Sequence, residues 1–162
     1  IRASPTSPSA TQRASNCAKG LGGRALTETG AMTVEKDLYC PPEFSHWPSA
    51  WGYTPVVEAQ GLVFLSGFTG TRGDGSIADE PHAQFQDVFN RLDSYLASAN
   101  LTHDAIVDVS TFHVRLREFF SVFDAVKRER LPRHDYAWTA VGVDALINPA
   151  ALLEMKVVAT RA

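Results

Sequence analysis

Apolar residues in the second half of the chain recur at spacings that predict two amphipathic helices. The first begins near Pro81 and continues to Asn100, with apolar positions three or four residues apart at Phe85, Val88, Phe89, Leu92, Leu96 and Ala99. Proline after two acids is typical of a helix start, and asparagine is typical of a helix end. The second helix extends from about Arg117 to Leu131 and ends at Pro132, because proline cannot continue the hydrogen-bond pattern.

Shorter apolar runs predict the strands. The stretch from Gly61 to Gly67 is an apolar run enclosed by glycines, and residues 53–58 precede it by the length of a hairpin turn. Gly67 lets the backbone approach a neighbour closely, and we interpret that neighbour as a ligand. The glycine-rich residues 70–75 are interpreted as a loop, not a phosphate-binding motif, because a strand of a hairpin precedes them. The other predicted strands are residues 106–114, 136–143 and 151–160.

The order of these elements is β-β-α-β-α-β-β, which predicts an α+β fold. Such a fold is one mixed sheet with both helices packed on one face. Val, Leu and Met residues of the last strand, together with Val141 and Val143, exceed what two helices can cover. A bare apolar sheet face of this kind predicts burial against another subunit, and therefore an oligomer.

The chain before this pattern divides into two segments. Residues 1–31 are rich in Ser, Ala, Thr, Gly, Pro and Arg and show no hydrophobic periodicity, which predicts a low-complexity leader that is disordered or non-native. Met32 is the expected native start. Prolines interrupt residues 32–51, which predicts an extended arm anchored by Trp47 and Trp51. Residues 52–162 are expected to form a single domain.

Composition narrows the function classes. The 162 residues carry a net charge of −3, with 44% hydrophobic residues, so no chain-wide attraction to nucleic acid or to anionic membranes is expected. The basic cluster at residues 127–130 is interpreted as a solvated helix face. The two cysteines lie far apart and outside any ligand-like cluster, which predicts no disulfide framework, no metal site and no cofactor. His113 is interpreted as a packed strand residue.

No apolar run reaches the ~18 residues that a membrane span requires. We therefore expect a protein without membrane insertion. The expected location is the cytoplasm, or an organelle if residues 1–31 are native.

Several motifs, in this order, resemble one known family. They are Gly52-Tyr53, Gly61-Leu-Val-Phe-Leu-Ser-Gly67, the helix beginning near Pro81, Val107-Asp-Val-Ser-Thr-Phe112, and Leu153-Glu-Met-Lys-Val-Val-Ala159. From about residue 52 to residue 161 the chain resembles the RidA/YjgF group of enamine/imine deaminases, also called the L-PSP endoribonuclease-like family. The resemblance implies a chorismate-mutase-like α+β fold and a homotrimer with ligand clefts between subunits.

The resemblance also implies site residues. Tyr53, Ser66, Gly67 and Glu154 match the positions at which family members place their cleft residues. By this likeness Glu154 and Tyr53 are the catalytic candidates, moving protons to and from water that attacks a C=N or C=C bond. Two alternatives stay open: Glu154 as a strand-edge acid paired with Lys156 or with an arginine, and Tyr53 as a buried tyrosine whose hydroxyl is satisfied.

Four positions depart from the family pattern. Trp138 replaces the arginine that pairs with the substrate carboxylate in family deaminases, Phe68 replaces a glutamine, Phe123 an asparagine and Ala140 a cysteine. We expect these residues to line the substrate cleft. A cleft walled by aromatic rings would desolvate a carboxylate without pairing it, and would hold neutral, flat, apolar ligands instead.

The predicted function is a divergent Rid-family enzyme, a deaminase, hydrolase or tautomerase, that acts on an imine, enamine or related labile intermediate without an α-carboxylate. The alternative is a non-catalytic trimeric binder of a hydrophobic small metabolite. Endoribonuclease activity is disfavoured, because the sequence shows neither a histidine pair nor a basic groove.

Overall fold

A computed structural model describes residues 34–161, which form one six-stranded sheet and three α-helices. The leader predicted for residues 1–31 and Met32 lie outside the described residues. The strands are β1 Asp37–Tyr39, β2 Val56–Ala59, β3 Leu62–Thr69, β4 Ile106–Val114, β5 Ala137–Val143 and β6 Leu153–Thr160. The helices are α1 Trp47–Trp51, α2 Pro81–Ser98 and α3 Leu116–Arg130, with short 3-10 helices at Pro42–Phe44 and His103–Ala105.

The strand order across the sheet is β1-β2-β3-β6-β4-β5. Only β4 and β5 pair in parallel, with α3 as the crossover between them, and the other neighbours pair antiparallel. The sheet is therefore mixed, and the predicted α+β fold is confirmed. The register between β3 and β6 shifts between Leu65 and Phe68, so Ser66 and Gly67 form an irregularity in the middle of the sheet.

Helix α2 follows the sequence prediction closely. Its predicted apolar stripe is almost fully buried, at 0–1 % exposure from Phe85 to Ala99. Asn100 adopts the left-handed conformation (φ 55°), and its N–H donates to Ala97 O while the N–H of Leu101 donates to Leu96 O. These two bonds satisfy carbonyls at the end of the helix, and asparagine tolerates the backbone conformation they need.

The uncovered sheet face differs from the prediction in its composition. Leu153, Met155 and Val157 of β6 point toward the helices and are fully buried, whereas Val141 of β5 is exposed, so the helices cover only part of the apolar set named from the sequence. Alternation along a strand sends every second residue to the core. The opposite face still carries apolar side chains from other strands, with Leu62, Phe64 and Val141 between 39 % and 42 % exposed.

The segment expected as an extended arm has regular structure from residue 37 onward. Strand β1 adds an edge to the sheet, where the Tyr39 hydroxyl donates to Glu58 Oε2 at 2.9 Å. Of the two expected anchors, Trp47 packs against the core, but Trp51 is 65 % exposed and does not. Trp51 is the last residue of the five-residue helix α1, one turn beyond Trp47, and no residue of this helix is fully buried.

His113 on β4 is a packed residue, as predicted. Its ring lies edge-on to Phe123 with the ring centroids 4.6 Å apart, and the residue is buried. Burial lowers the pKa of His113 to about 4, because a low-dielectric environment disfavours the charged imidazolium.

Candidate functional site

An open cavity of about 1130 Å³ lies against the bulge of β3. Its walls come from β2, β3, β4 and β6, from α1, and from the loops at residues 71–75 and 147–149. The sequence-predicted site residues that line it are Tyr53, Ser66, Gly67, Phe68 and Glu154. Residues distant in sequence are thus brought to one place by the β3–β6 pairing.

Glu154 lies on β6, opposite Thr69 of β3 and Phe112 of β4. Strand alternation turns it away from the helices and into the cavity, next to the apolar ring of Phe112. Burial raises the pKa of the Glu154 carboxyl above its usual range. Within residues 34–161 the carboxylate makes no hydrogen bond or ion pair, so the alternative of a pair with Lys156 is not observed.

Gly67 is the place where the β3 backbone approaches Glu154. A Cβ atom at position 67 would collide with Glu154 Oε1. The neighbour that the glycine admits is therefore the catalytic candidate itself, where the sequence had suggested a ligand. Ser66 beside it donates its hydroxyl hydrogen to Thr54 O at 2.7 Å, which fixes the strand before the bulge.

Replacing Gly67 by Ala should displace the Glu154 side chain, because the added methyl group and the carboxylate cannot occupy the same space. We expect a loss of turnover of roughly tenfold or more with a small change in stability, since an ångström of misplacement can cost about a hundredfold in rate. Steady-state kinetics and thermal unfolding would measure the two effects.

Gly73→Ala is the matched control, because a Cβ at position 73 meets nothing within 4 Å. Equal activity of the Gly67→Ala and Gly73→Ala variants would show that the close approach of residue 67 to Glu154 is unimportant.

Tyr53 follows α1 and lies edge-on to Trp47, with the ring centroids 6.2 Å apart. Burial is the main cause that raises the pKa of Tyr53, and the charge of Glu154 raises it further, while the positive charge of Arg91 acts in the opposite direction. The hydroxyl is thus a neutral hydrogen-bond donor at ordinary pH. It lies within electrostatic reach of both Glu154 and Arg91.

Arg91 is a cavity residue that the sequence prediction missed. It belongs to α2 and is 4 % exposed, with its guanidinium carbon 4.1 Å from the ring centroid of Phe44 and 4.6 Å from that of Trp47. A signal was available: position 91 is three residues after Val88 and four before Tyr95, on the buried side of the helix.

The other predicted cleft residues lie apart from the cavity. The indole N–H of Trp138 donates to Thr111 Oγ1 at 3.1 Å, and the ring stacks on Phe120 at 6.3 Å with Lys127 Nζ 4.0 Å from the ring centroid. Phe123 is fully buried between the helices and the sheet, 6.2 Å from the ring of Trp138.

These positions do not form one aromatic cleft within a single chain. Ala140 is exposed on β5, two strands away from β6, and lies outside the cavity walls, as do Trp138 and Phe123. Phe68 is 2 % exposed and packs on Tyr95 at 5.0 Å, so it supports the cavity floor more than it contacts the open space. Phe68 and Phe123 are buried because each packs against an aromatic ring of α2.

The part of the chain that the structure describes holds no group of three or more His, Cys, Asp or Glu side chains arranged to bind a metal ion. None of the helices in residues 34–161 has both the length and the apolar composition of a membrane span.

The comparison with protein families decides the relationship. The model of the family Endoribonuclease L-PSP matches residues 45–161. The chain belongs to this family. Among curated proteins, this L-PSP family member is 36% identical over 92 residues to the RutC family protein YjgH of Escherichia coli, a match that covers 56% of this chain and 70% of YjgH. It is 32% identical over 118 residues to the mitochondrial protein MMF1 of Saccharomyces cerevisiae, covering 69% of this chain and 77% of MMF1.

Solved structures confirm the fold of this family member. The structure of YjgH aligns with a TM-score of 0.65 at 33% identity, covering 70% of this chain and 86% of YjgH. Rv2704 of Mycobacterium tuberculosis, a member of the YjgF/YER057c/UK114 family, aligns with a TM-score of 0.63 at 25% identity, covering 72% of this chain and 92% of Rv2704. The RidA/YjgF resemblance and the chorismate-mutase-like architecture are therefore both confirmed.

Proposed function

We propose that this protein hydrolyses or tautomerises an imine, an enamine or a related labile intermediate in the cavity beside β6. The observation that carries the proposal is the Glu154 carboxylate, which is half-buried and unpaired within residues 34–161 and faces the same open cavity as Tyr53. A carboxylate whose pKa is raised binds a proton more strongly than an ordinary glutamate, which suits it to accept and return protons as an acid–base catalyst.

In the hydrolytic reaction Glu154 accepts a proton from water as the water oxygen bonds to the imine carbon. The electron pair of the C=N bond moves to nitrogen, which takes up a proton from solvent. The carbon–nitrogen bond then breaks as the carboxylic acid gives its proton to the leaving amine. The hydroxyl oxygen forms the C=O bond and releases its proton to solvent, so that a carbonyl compound and ammonia or an amine result. Tyr53, as a neutral phenol, donates a hydrogen bond to the substrate nitrogen or to the attacking oxygen. An enamine would first be protonated at carbon.

The substrate is proposed to lack a carboxylate next to the reacting carbon. Support comes from position 138, where the family deaminases resembled by this chain carry arginine and this chain carries tryptophan. The indole N–H is already donated to Thr111, and an indole offers no charge. A carboxylate desolvated there would lose its hydration without gaining a bidentate partner.

We further propose a homotrimer with ligand clefts between subunits, and Trp138 as part of a cleft wall supplied by a neighbouring subunit. Apolar side chains on the helix-free sheet face support this, because exposed apolar surface of this kind usually meets a partner. Light scattering should give three times the chain mass. Phe64→Lys should reduce it toward one, and Val34→Lys, an exposed residue outside the sheet, should not. A monomeric wild type would contradict the proposal.

Ammonia release from imines generated in situ by an amine oxidase, which carry no α-carboxylate, tests the enzyme function. Acceleration over the uncatalysed rate with a neutral imine supports it. Ligand binding without any turnover across a panel of imines and enamines would instead favour the non-catalytic binder. The expected cytoplasmic location stays a prediction.

A further inference from the structure

The guanidinium of Arg91 is a buried charge that forms no ion pair with a described carboxylate. The residue is 4 % exposed and lines the cavity, and neither of its terminal nitrogens is hydrogen-bonded to any described residue. A guanidinium carries five N–H donors, and burying it unpaired is strongly disfavoured. The partner of this group is therefore expected to come from outside residues 34–161.

The surroundings of Arg91 orient its donors without satisfying them. The rings of Phe44 and Trp47 lie 4.1 and 4.6 Å from the guanidinium carbon and offer their π-electrons to the cation. Aromatic faces accept no in-plane hydrogen bond. The hydroxyl of Tyr95 is also buried and lies close enough to Arg91 for the two groups to interact, so a second hydrogen-bond donor lies beside the guanidinium.

The other cations of the cavity wall differ in their partners or their exposure. Arg72 donates to Asp87 Oδ2 at 2.9 Å through Nε, and its side chain is half exposed. Lys156 is exposed on the sheet face. Solvent weakens the attraction of such groups for a ligand anion, whereas the surroundings of Arg91 are desolvated.

We propose that Arg91, with the Tyr95 hydroxyl, is the anion-binding group of this cavity and holds a carboxylate carried by the ligand. The inference rests on the proposed function, which places the reaction near Glu154. It adds the class of substrate, which is an acid whose carboxylate is not attached to the reacting carbon. Tyr53 lines the same cavity as Arg91 and Glu154 and interacts electrostatically with both. The terminal nitrogens are shielded from solvent, so binding moves Trp47 or Tyr53 slightly. Trp47 is only partly buried and lies on the five-residue helix α1.

Binding of benzoate and of its neutral isostere benzamide tests the inference without any catalytic step. Calorimetry or ligand-observed NMR should show benzoate binding wild type about tenfold more tightly than benzamide, the ratio expected from one charge-assisted bidentate contact. Arg91→Met should remove this preference, lowering benzoate affinity about tenfold and leaving benzamide affinity unchanged. Arg91→Lys keeps the charge without the planar fork and should retain part of the preference.

Arg72→Met is the matched control, since it removes a guanidinium from the same cavity and should leave benzoate binding unchanged. The inference is overturned if wild type shows no preference for benzoate at concentrations on the order of 10 mM. It is also overturned if Arg91→Met retains the preference, or if Arg72→Met abolishes it. Circular dichroism tests whether each variant is folded. If Arg91→Met does not fold, Arg91→Lys takes its place, and full retention of the preference for benzoate over benzamide in that variant decides against a bidentate contact from the guanidinium.

Failure of the proposed function gives a different pattern. If the protein binds benzoate through Arg91 but hydrolyses no imine, the anion site is supported and the enzyme function is contradicted. A protein that hydrolyses neutral imines without any preference for acids keeps the enzyme proposal and loses the anion site.

Discussion

Replacing Glu154 by Gln should abolish most of the proposed imine hydrolysis while ligand binding persists. The amide has nearly the shape of the carboxyl group, but it cannot accept a proton from water. Loss of a general base costs roughly a hundredfold to ten-thousandfold in rate. Because the carboxylate is desolvated and unpaired within residues 34–161, the substitution should leave the free energy of unfolding unchanged or raise it. Ammonia release and calorimetric ligand binding measure the two quantities.

Lys156→Gln is the appropriate control for this variant. Lys156 is the next residue of β6 on the same face of the strand and also lines the cavity. Its replacement changes the charge of the wall without touching the acid–base step, so turnover should be nearly unaffected. Unchanged kcat in Glu154→Gln, with Lys156→Gln equally active, would exclude Glu154 as the base.

The pH dependence of kcat/KM in the wild type is a second test of the role of Glu154. Burial raises the pKa of Glu154, so the active carboxylate is lost as the pH falls through that raised value. The acidic limb of kcat/KM should therefore lie above the usual range for a glutamate and should disappear in Glu154→Gln. A limb in the ordinary carboxyl range would mean that a more exposed acid controls the rate.

The small anionic enamine 2-aminoacrylate, which typical members of the resembled family deaminate, is expected to be a poor substrate. Its carboxylate is adjacent to the reacting carbon, where the family pattern would place an arginine and this chain has Trp138. Losing a charged bidentate partner costs roughly 3 kcal/mol, or on the order of a hundredfold in kcat/KM. The measurement is hydrolysis of enzymatically generated 2-aminoacrylate by this protein and by an arginine-bearing homologue.

Trp138→Arg should recover part of this activity. The guanidinium would supply the missing fork, although the substitution removes the stacking on Phe120 and the hydrogen bond to Thr111, so some stability is lost. Trp138→Phe is the control, because it also removes the N–H donor but adds no charge. Hydrolysis of 2-aminoacrylate by the wild type as fast as by the homologue would contradict the prediction. If the Arg91→Met variant then lost this activity, Arg91 would be the residue that binds the α-carboxylate.

Much of the fold could be predicted because the relevant signals are local. The three- and four-residue spacing of apolar positions in α2 requires only a helix and one buried side, and the left-handed Asn100 ends it for reasons of backbone geometry. The order of elements then limits the fold to one mixed sheet with helices on one face. Family membership followed from motifs whose order was visible in the chain.

Only those site residues whose orientation follows from a single strand could be predicted from the sequence. Alternation on β6 placed Glu154 on the side opposite to Met155, and the glycine of β3 marked a close approach. The partner in that approach, the Glu154 carboxylate, is set by the pairing of β3 with β6, strands about 90 residues apart, which no local pattern encodes.

Tertiary structure alone decided the environments of the aromatic and charged side chains. Phe123 looked like a cleft residue in sequence, but its burial depends on how α3 packs against β4 and α2. Arg91 looked like one charge on a helix, but Phe44 and Trp47, brought from the segment before β2, enclose it. Secondary structure follows from the short-range spacing of residue types, which the sequence determines by itself. Burial and the presence or absence of a partner depend on contacts between distant segments, and these exist only once the chain has folded.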